Sequence, residues 1–184
     1  MALTPSNMLP LGTIAPEFNL INTIDDSMVS LSEAKGLHGT VIMFICNHCP
    51  FVKHINSELS QLAKDYITKG INCIAIFSND AVNYPEDAPS KMKMNALEQG
   101  FIFPYLYDEN QDVAKAYDAA CTPDFYVFDT DLKLVYRGQL DSSRPGNGIP
   151  VTGEDLRLAI DNMLNKTIQI TNQKPSIGCN IKWK

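Results

Sequence analysis

Apolar positions change period several times along the chain, and each change marks an element. Two short alternating runs in "EFNLINTIDDSMVSL" flank Asp25-Asp26 and predict a β-hairpin near the N-terminus. "SEAKG" predicts a brief helical turn closed by Gly36. "TVIMFI" (40–45) is a continuous β-branched and apolar run, the pattern of a strand buried on both faces. Residues 50–69 then take a helical period, with Phe51, Ile55, Leu59, Leu62, Ala63 and Tyr66 on one stripe and Gly70 as the stop. "INCIAIF" (71–77) reads as a second buried strand. Strand, helix and strand in direct succession make a βαβ unit with a right-handed crossover.

Beyond a loop rich in Asn, Asp and Pro, a helix is predicted over 89–99, ended by Gly100. "FPYLYD" is a short strand and "QDVAKAYDAA" a short helix. "DFYVFDTDLKLVYRG" holds two strands around Asp129-Thr130-Asp131, an antiparallel hairpin. "TGEDLRLAIDNMLN" is a closing amphipathic helix, with Thr152 placed to cap it and Glu154-Asp155 in its first turn. The remainder shows neither period. The order predicts an α/β domain over 1–165, a mixed central sheet with helices on both faces and an N-terminal β-hairpin extension, followed by an irregular C-terminal tail over 166–184.

Composition narrows the class. The 184 residues are 45% apolar, enough for one domain with a proper core and too few for a second of similar size. Fifteen basic against 21 acidic residues leave a net charge of −6, without the basic stripe that nucleic-acid binding needs. The opening "MALTPSNMLPLGTIAPEF" lacks a basic start and is broken by Pro5, Pro10 and Pro16, unlike a signal peptide. No apolar run reaches the roughly 18 residues that would span a bilayer. A cytoplasmic protein is expected, binding neither nucleic acid nor membrane.

That location changes the reading of the five cysteines, 46, 49, 73, 121 and 179. In a reducing compartment an odd count argues against a structural disulfide framework, and a Cys-x-x-Cys is better read as catalytic or metal-binding. The pair lies in "MFICNHCPFVKH", where a buried strand gives way to a helix. Proline is favoured at the first helical position, so Pro50 makes Cys49 the N-cap. There free backbone N–H groups and the positive end of the helix dipole favour thiolate over thiol. Cys46, three residues earlier, is away from the dipole. The junction therefore assigns Cys49 as nucleophile and Cys46 as resolving partner, able to form a reversible disulfide with it. His48, as an imidazolium, would help hold the thiolate.

Other residues carry weaker signals. Cys46, His48, Cys49 and His54 offer local metal ligands, but zinc usually takes two separated ligand pairs and the second is missing. Cys73, inside an apolar strand, is a packed thiol. In "ACTPDF", Thr122-Pro123 is either a cis bond, which X-Pro tolerates, or an ordinary trans proline. Cys121 is either packed or a third redox group. Cys179 lies in the tail, as an incidental exposed thiol or one that a mobile tail carries to the active site. Arg137 reads as a solvated charge at a strand end.

These segments together resemble the thioredoxin-like redoxin superfamily, on the side of the alkyl hydroperoxide reductase and thiol-specific antioxidant proteins, and within it a bacterial peroxiredoxin-like group. "LGTIAPEFNL", "MFICNHCPFVKH", "YPEDAPSKM", "FPYLYDENQDVAKAY", "ACTPDF", "RGQLDSSRPGN" and "PSIGCNIKW" carry the likeness over nearly the whole chain. It implies a thioredoxin-like fold and a thiol redox activity that needs no cofactor. Laid on either thioredoxin or peroxiredoxin segments, "CNHCP" puts the nucleophile at Cys49, with Cys46 where peroxiredoxins keep a Thr or Ser. Thr122-Pro123 stands where thioredoxins have a cis-proline and peroxiredoxins an arginine. By that likeness Thr122 and Pro123 shape the substrate face, and Thr122 pairs its backbone with an extended substrate. Arg137 is the stand-in for the missing peroxide-binding arginine. The acidic residue that thioredoxins bury beneath the site is absent from "TVIMFI", which leaves proton handling to His48 or water.

The leading expectation is a thiol–disulfide oxidoreductase acting on protein disulfides, recharged by a thiol reductant such as a thioredoxin-type donor. The alternatives are a peroxidase cycling Cys49 through sulfenic acid, resolved by Cys46, Cys121 or Cys179, and a non-catalytic Cys/His metal-binding protein.

Overall fold

Six residues from Gly39 to Phe44, all buried, form the strand on which the sheet is organised. The computed structural model describes residues 3–184. In chain order the elements are β1 (Leu3–Pro5), β2 (Asn19–Asn22), β3 (Met28–Ser30), α1 (Leu31–Ala34), β4 (Gly39–Phe44), α2 (Pro50–Ile67) and β5 (Ile71–Phe77). A 3-10 turn (Pro85–Asp87) leads to α3 (Pro89–Gln99), β6 (Tyr105–Tyr107), α4 (Asp112–Ala116), β7 (Cys121–Thr122), β8 (Asp124–Phe128), β9 (Leu134–Gly138), α5 (Glu154–Leu164) and β10 (Ile177–Asn180).

The main sheet has the order β3-β2-β6-β5-β4-β8-β9. Strands β4, β5 and β6 run parallel, while β2–β3, β2–β6, β4–β8 and β8–β9 pair antiparallel. Because strand side chains alternate, the same strands feed two cores. Val41, Met43, Ala75, Phe77, Phe125 and Val127 pack under α2, α3 and α5. Ile42, Phe44, Ile74, Ile76, Tyr126 and Phe128 pack on the other face, with Leu31 of α1 and Ala114 of α4. The fold is thus the expected mixed α/β sheet with helices on both faces, and the N-terminal hairpin joins it through β2–β6.

Two local expectations are corrected. Thr152 does not cap α5: Gly153 is the N-cap, in the left-handed region at φ 68°. The N–H groups of Thr152 and Gly153 instead donate to Asp141 Oδ2 at 2.8 and 2.7 Å. The tail is not irregular throughout. Residues 177–180 form β10, the middle strand of a separate three-stranded antiparallel sheet, β1-β10-β7. Four residues are too few for a periodicity to show in sequence, and this strand exists only through partners more than 50 residues away.

Candidate active site

The junction read from sequence is present. Strand β4 ends at Phe44, and Cys49 is the N-cap of α2 in an extended conformation with Pro50 at the first helical position. The Thr122-Pro123 peptide bond is cis and brings Thr122 against both thiols of the motif. Its Oγ1 lies 3.3 Å from Cys46 Sγ, and its carbonyl oxygen 3.2 Å from Cys49 Sγ. All five cysteines are reduced.

The two motif thiols differ sharply in acidity. Cys49 is lowered to about 5, first by the hydrogen bond from Cys46 and then by Cys179 and the backbone N–H groups of Val52 and Cys179, against the opposing effect of burial. Cys46 is raised well above the ordinary thiol range because its proton is held by Cys49, and because it is buried near the Asp87 carboxylate. A chain of donors results, Thr122 hydroxyl to Cys46 and Cys46 to the Cys49 thiolate. Cys49 is thus the anion at neutral pH.

The buried carboxylate that the sequence lacked on β4 comes from elsewhere. Asp87, wholly buried, ends the 3-10 turn. Its Oδ1 accepts the backbone N–H groups of Asn47 and His48 at 3.0 and 3.1 Å. Its Oδ2 meets His48 Nδ1 at 2.5 Å and Asn79 Nδ2 at 3.0 Å. One side chain thereby fixes the whole Cys-x-x-Cys loop. The signal was the acidic pair inside "YPEDAPS", which a local reading assigns to a loop. His48 is raised by its bond to Asp87 and stacks on Tyr84 at a centroid distance of 5.8 Å. The Cys49 thiolate also favours the charged form of the ring, while burial opposes it. Replacing His48 by Gln removes a ring whose charged form the thiolate favours, so the pH midpoint for Cys49 alkylation should move upward from about 5. Iodoacetamide rates measured against pH check this, and an unchanged midpoint would refute a tuning role.

The remaining predicted residues separate. Cys179 is not an exposed tail thiol: it is buried on β10, and its Sγ lies 2.9 Å from Cys49 Sγ. Burial and the neighbouring thiolate push Cys179 up to about 12. Cys121 is buried with its Sγ 3.6 Å from the Pro123 carbonyl and is pushed up by burial. Arg137 is neither solvated nor the peroxide-binding stand-in. It is opposite Tyr126 on the sheet face away from α2, fully buried, with Nη2 3.1 Å from Asp124 Oδ2 and 2.7 Å from the Asp118 carbonyl. The strand-end position suggested exposure, but β9 is covered by its neighbours on that face. Of the local metal ligands, His54 is drawn off to Ser143 at 2.7 Å. Cys46, His48 and Asp87 offer ligand atoms within 4.8 Å of one another.

The mixed sheet, with a cysteine capping α2 beside a cis-proline, has the thioredoxin-like fold. Residues 11–137 match the AhpC/TSA family, and the chain belongs to it. An uncharacterized conserved protein from Geobacillus kaustophilus is 63% identical, with a TM-score of 0.98 over 100% of this chain and 97% of that one. A hypothetical protein from Sinorhizobium meliloti 1021 is 46% identical, with a TM-score of 0.96 over 98% of each chain. A thiol:disulfide interchange protein of the thioredoxin family from Chlorobium tepidum TLS shares the fold at 17% identity, with a TM-score of 0.64 over 85% of this chain and 99% of that one. None of the curated proteins matches. Among the described residues, no helix is long and apolar enough to cross a membrane.

Proposed function

We propose that the protein is a thiol–disulfide oxidoreductase in which Cys49 is the nucleophile and Cys46 the resolving thiol. One observation carries this reading: Cys49 caps α2 with its Sγ 3.2 Å from the carbonyl of Thr122, the residue before the cis-proline, and the other cysteine of its own motif helps lower it to about 5. The Cys49 thiolate attacks a substrate disulfide, R–S–S–R′. A Cys49–S–S–R bond forms and R′–S⁻ leaves. With the Cys49 anion consumed, the largest cause of the high Cys46 pKa is gone, and Cys46 can ionise. Its sulfur then attacks Cys49 Sγ, R–S⁻ departs, and the Cys46–Cys49 disulfide remains. Two electrons have passed from the motif to the substrate. A dithiol donor of thioredoxin type restores the motif in a reducing compartment, which fits the cytoplasmic location expected from the sequence.

A second reading is favoured by the family and by access. Cys49 is 0% exposed, so a small hydroperoxide would meet fewer barriers than a folded protein. The thiolate would take one peroxide oxygen as sulfenic acid while the rest leaves as alcohol or water. Two features weigh against it: Arg137 lies on the far face of the sheet, and a thiol stands at position 46. The reduced protein should consume hydroxyethyl disulfide faster than it consumes hydrogen peroxide in stopped-flow fluorescence. The opposite order would install the peroxidase reading.

A further inference from the structure

The edge that the cis-proline exposes in this fold is already occupied. Thr122, the residue before Pro123, pairs antiparallel with Cys179 of β10, and Cys121 pairs with Asn180. The strand beside Thr122 is the chain's own tail, so an extended substrate pairing with Thr122 would have to displace it. The pairing sets Cys179 Sγ 2.9 Å from Cys49 Sγ, about 0.9 Å beyond the ~2.05 Å of an S–S bond. This is where the cysteine of a bound substrate strand would have to lie for exchange with Cys49.

The tail is fitted to that position by more than its cysteine. A Cβ on Gly178 would lie 2.0 Å from the Thr122 carbonyl oxygen and 2.6 Å from its carbon. Only glycine lets the strand approach so closely. Ser176 Oγ donates to the Pro123 carbonyl at 2.6 Å, on one side of the cysteine. On the other, Ile181 N–H donates to Ala120 O at 3.1 Å, and Lys182 N–H to Asn79 Oδ1 at 2.9 Å. On its far side β10 is paired by β1, with Leu3 opposite Cys179.

We propose that β10 is a tethered substrate strand: it fills the edge on which a cysteine-bearing partner segment would pair, and Cys179 is the built-in cysteine with which Cys49 forms a mixed disulfide. The external partner that competes for the edge is an extended peptide segment with glycine immediately before its cysteine, because a side chain there meets the Thr122 carbonyl. The inference rests on the assignment of Cys49 as nucleophile. In the self-reaction, Cys49 first forms Cys49–S–S–R with a small disulfide R–S–S–R. The Cys179 sulfur attacks Cys49 Sγ, its proton passes to the departing R–S⁻, and the Cys49–Cys179 bond forms. Cys46 then resolves this bond as it would a substrate's, forming Cys46–Cys49 and returning Cys179 to the thiol.

The test removes the resolving thiol. Cys46→Ser, reduced and then treated with hydroxyethyl disulfide, should accumulate a Cys49–Cys179 bridge in peptide mapping after alkylation. Cys179 left alkylated, with Cys49 carrying only the small thiol, would overturn the proposal. The second arm dislodges the strand. Gly178→Ala should raise the alkylation rate of Cys49 in the reduced protein by about tenfold or more, through a larger open population, and should raise insulin reduction with it. An unchanged Cys49 rate in a folded Gly178→Ala protein would overturn the proposal; if that variant does not fold, the Cys46→Ser mapping decides alone. Failure of the functional reading looks different, since it would appear as disulfide reduction that survives Cys49→Ser.

Discussion

Cys49→Ser should abolish disulfide reduction, lowering turnover of hydroxyethyl disulfide by on the order of 10³-fold or more. Cys49 carries the anion because Cys46 and Cys179 point protons at it and because the backbone N–H groups of Val52 and Cys179 lie close. A serine hydroxyl there receives the same donors but does not ionise near neutral pH, so nothing attacks the substrate sulfur. Cys46→Ser is expected to behave differently. It keeps the nucleophile and should stop after a single turnover, with Cys49 bridged to the neighbouring Cys179 in place of Cys46. The comparison is made in single-turnover measurements of released thiol, against pH. The Cys49 thiolate is fully formed above its ordinary value of 9.0, and in this fold it persists until the pH falls to about 5. Wild-type attack should therefore fall off only as pH drops through about 5, while in Cys46→Ala, which removes the donor, the fall should come at higher pH. If Cys49→Ser retained turnover, or if Cys46→Ser released thiol continuously at the wild-type rate, the roles given to these two cysteines would be wrong.

The largest stability effect is expected on the other face of the sheet. Arg137→Met should destabilise the fold by about 3–5 kcal/mol, the usual cost of removing one partner from a buried ion pair. Arg137 and Asp124 are both fully buried and lie 3.1 Å apart, with the guanidinium 4.5 Å from the Tyr126 ring. Burial has already raised Asp124 to about 6 in spite of the arginine. A raised acid favours the folded state fully below its unfolded value of 3.8, and that contribution is lost as pH rises through about 6. Without Arg137 the carboxyl must be protonated or stay buried as an unpaired anion. The loss in Arg137→Met should then be greater at pH 8 than at pH 5, as chemical denaturation at the two values would show. The double variant Arg137→Met with Asp124→Asn should recover part of it. A loss that does not change with pH would mean that Asp124 is not the group left exposed by the change.

Much of the frame was legible because local chemistry dictates it. The runs 39–44 and 71–77 are apolar on both faces and form the parallel centre of the sheet. Pro50 starts α2 and leaves Cys49 as its cap because proline lacks only a donor that a first-turn residue does not use. What was missed is contributed from a distance. Asp87 reaches the loop from 39 residues away. Arg137 looked like a surface charge because sequence does not show which neighbours cover a strand end. Cys179 looked like a loose thiol because β10 has no pattern of its own and is held by β1 and β7.

The sequence by itself determined the βαβ order, the helix start at Pro50 and therefore which cysteine of "CNHCP" meets the helix dipole. These follow from residue type and spacing along a few turns of chain. Only the tertiary structure decided what surrounds that sulfur: the Asp87 carboxylate that fixes the loop, the cis Thr122-Pro123 edge, and a third thiol from the far end of the chain. The physical reason is that a thiol's acidity and its partners depend on atoms within a few ångströms, and here those atoms come from four separate stretches of sequence.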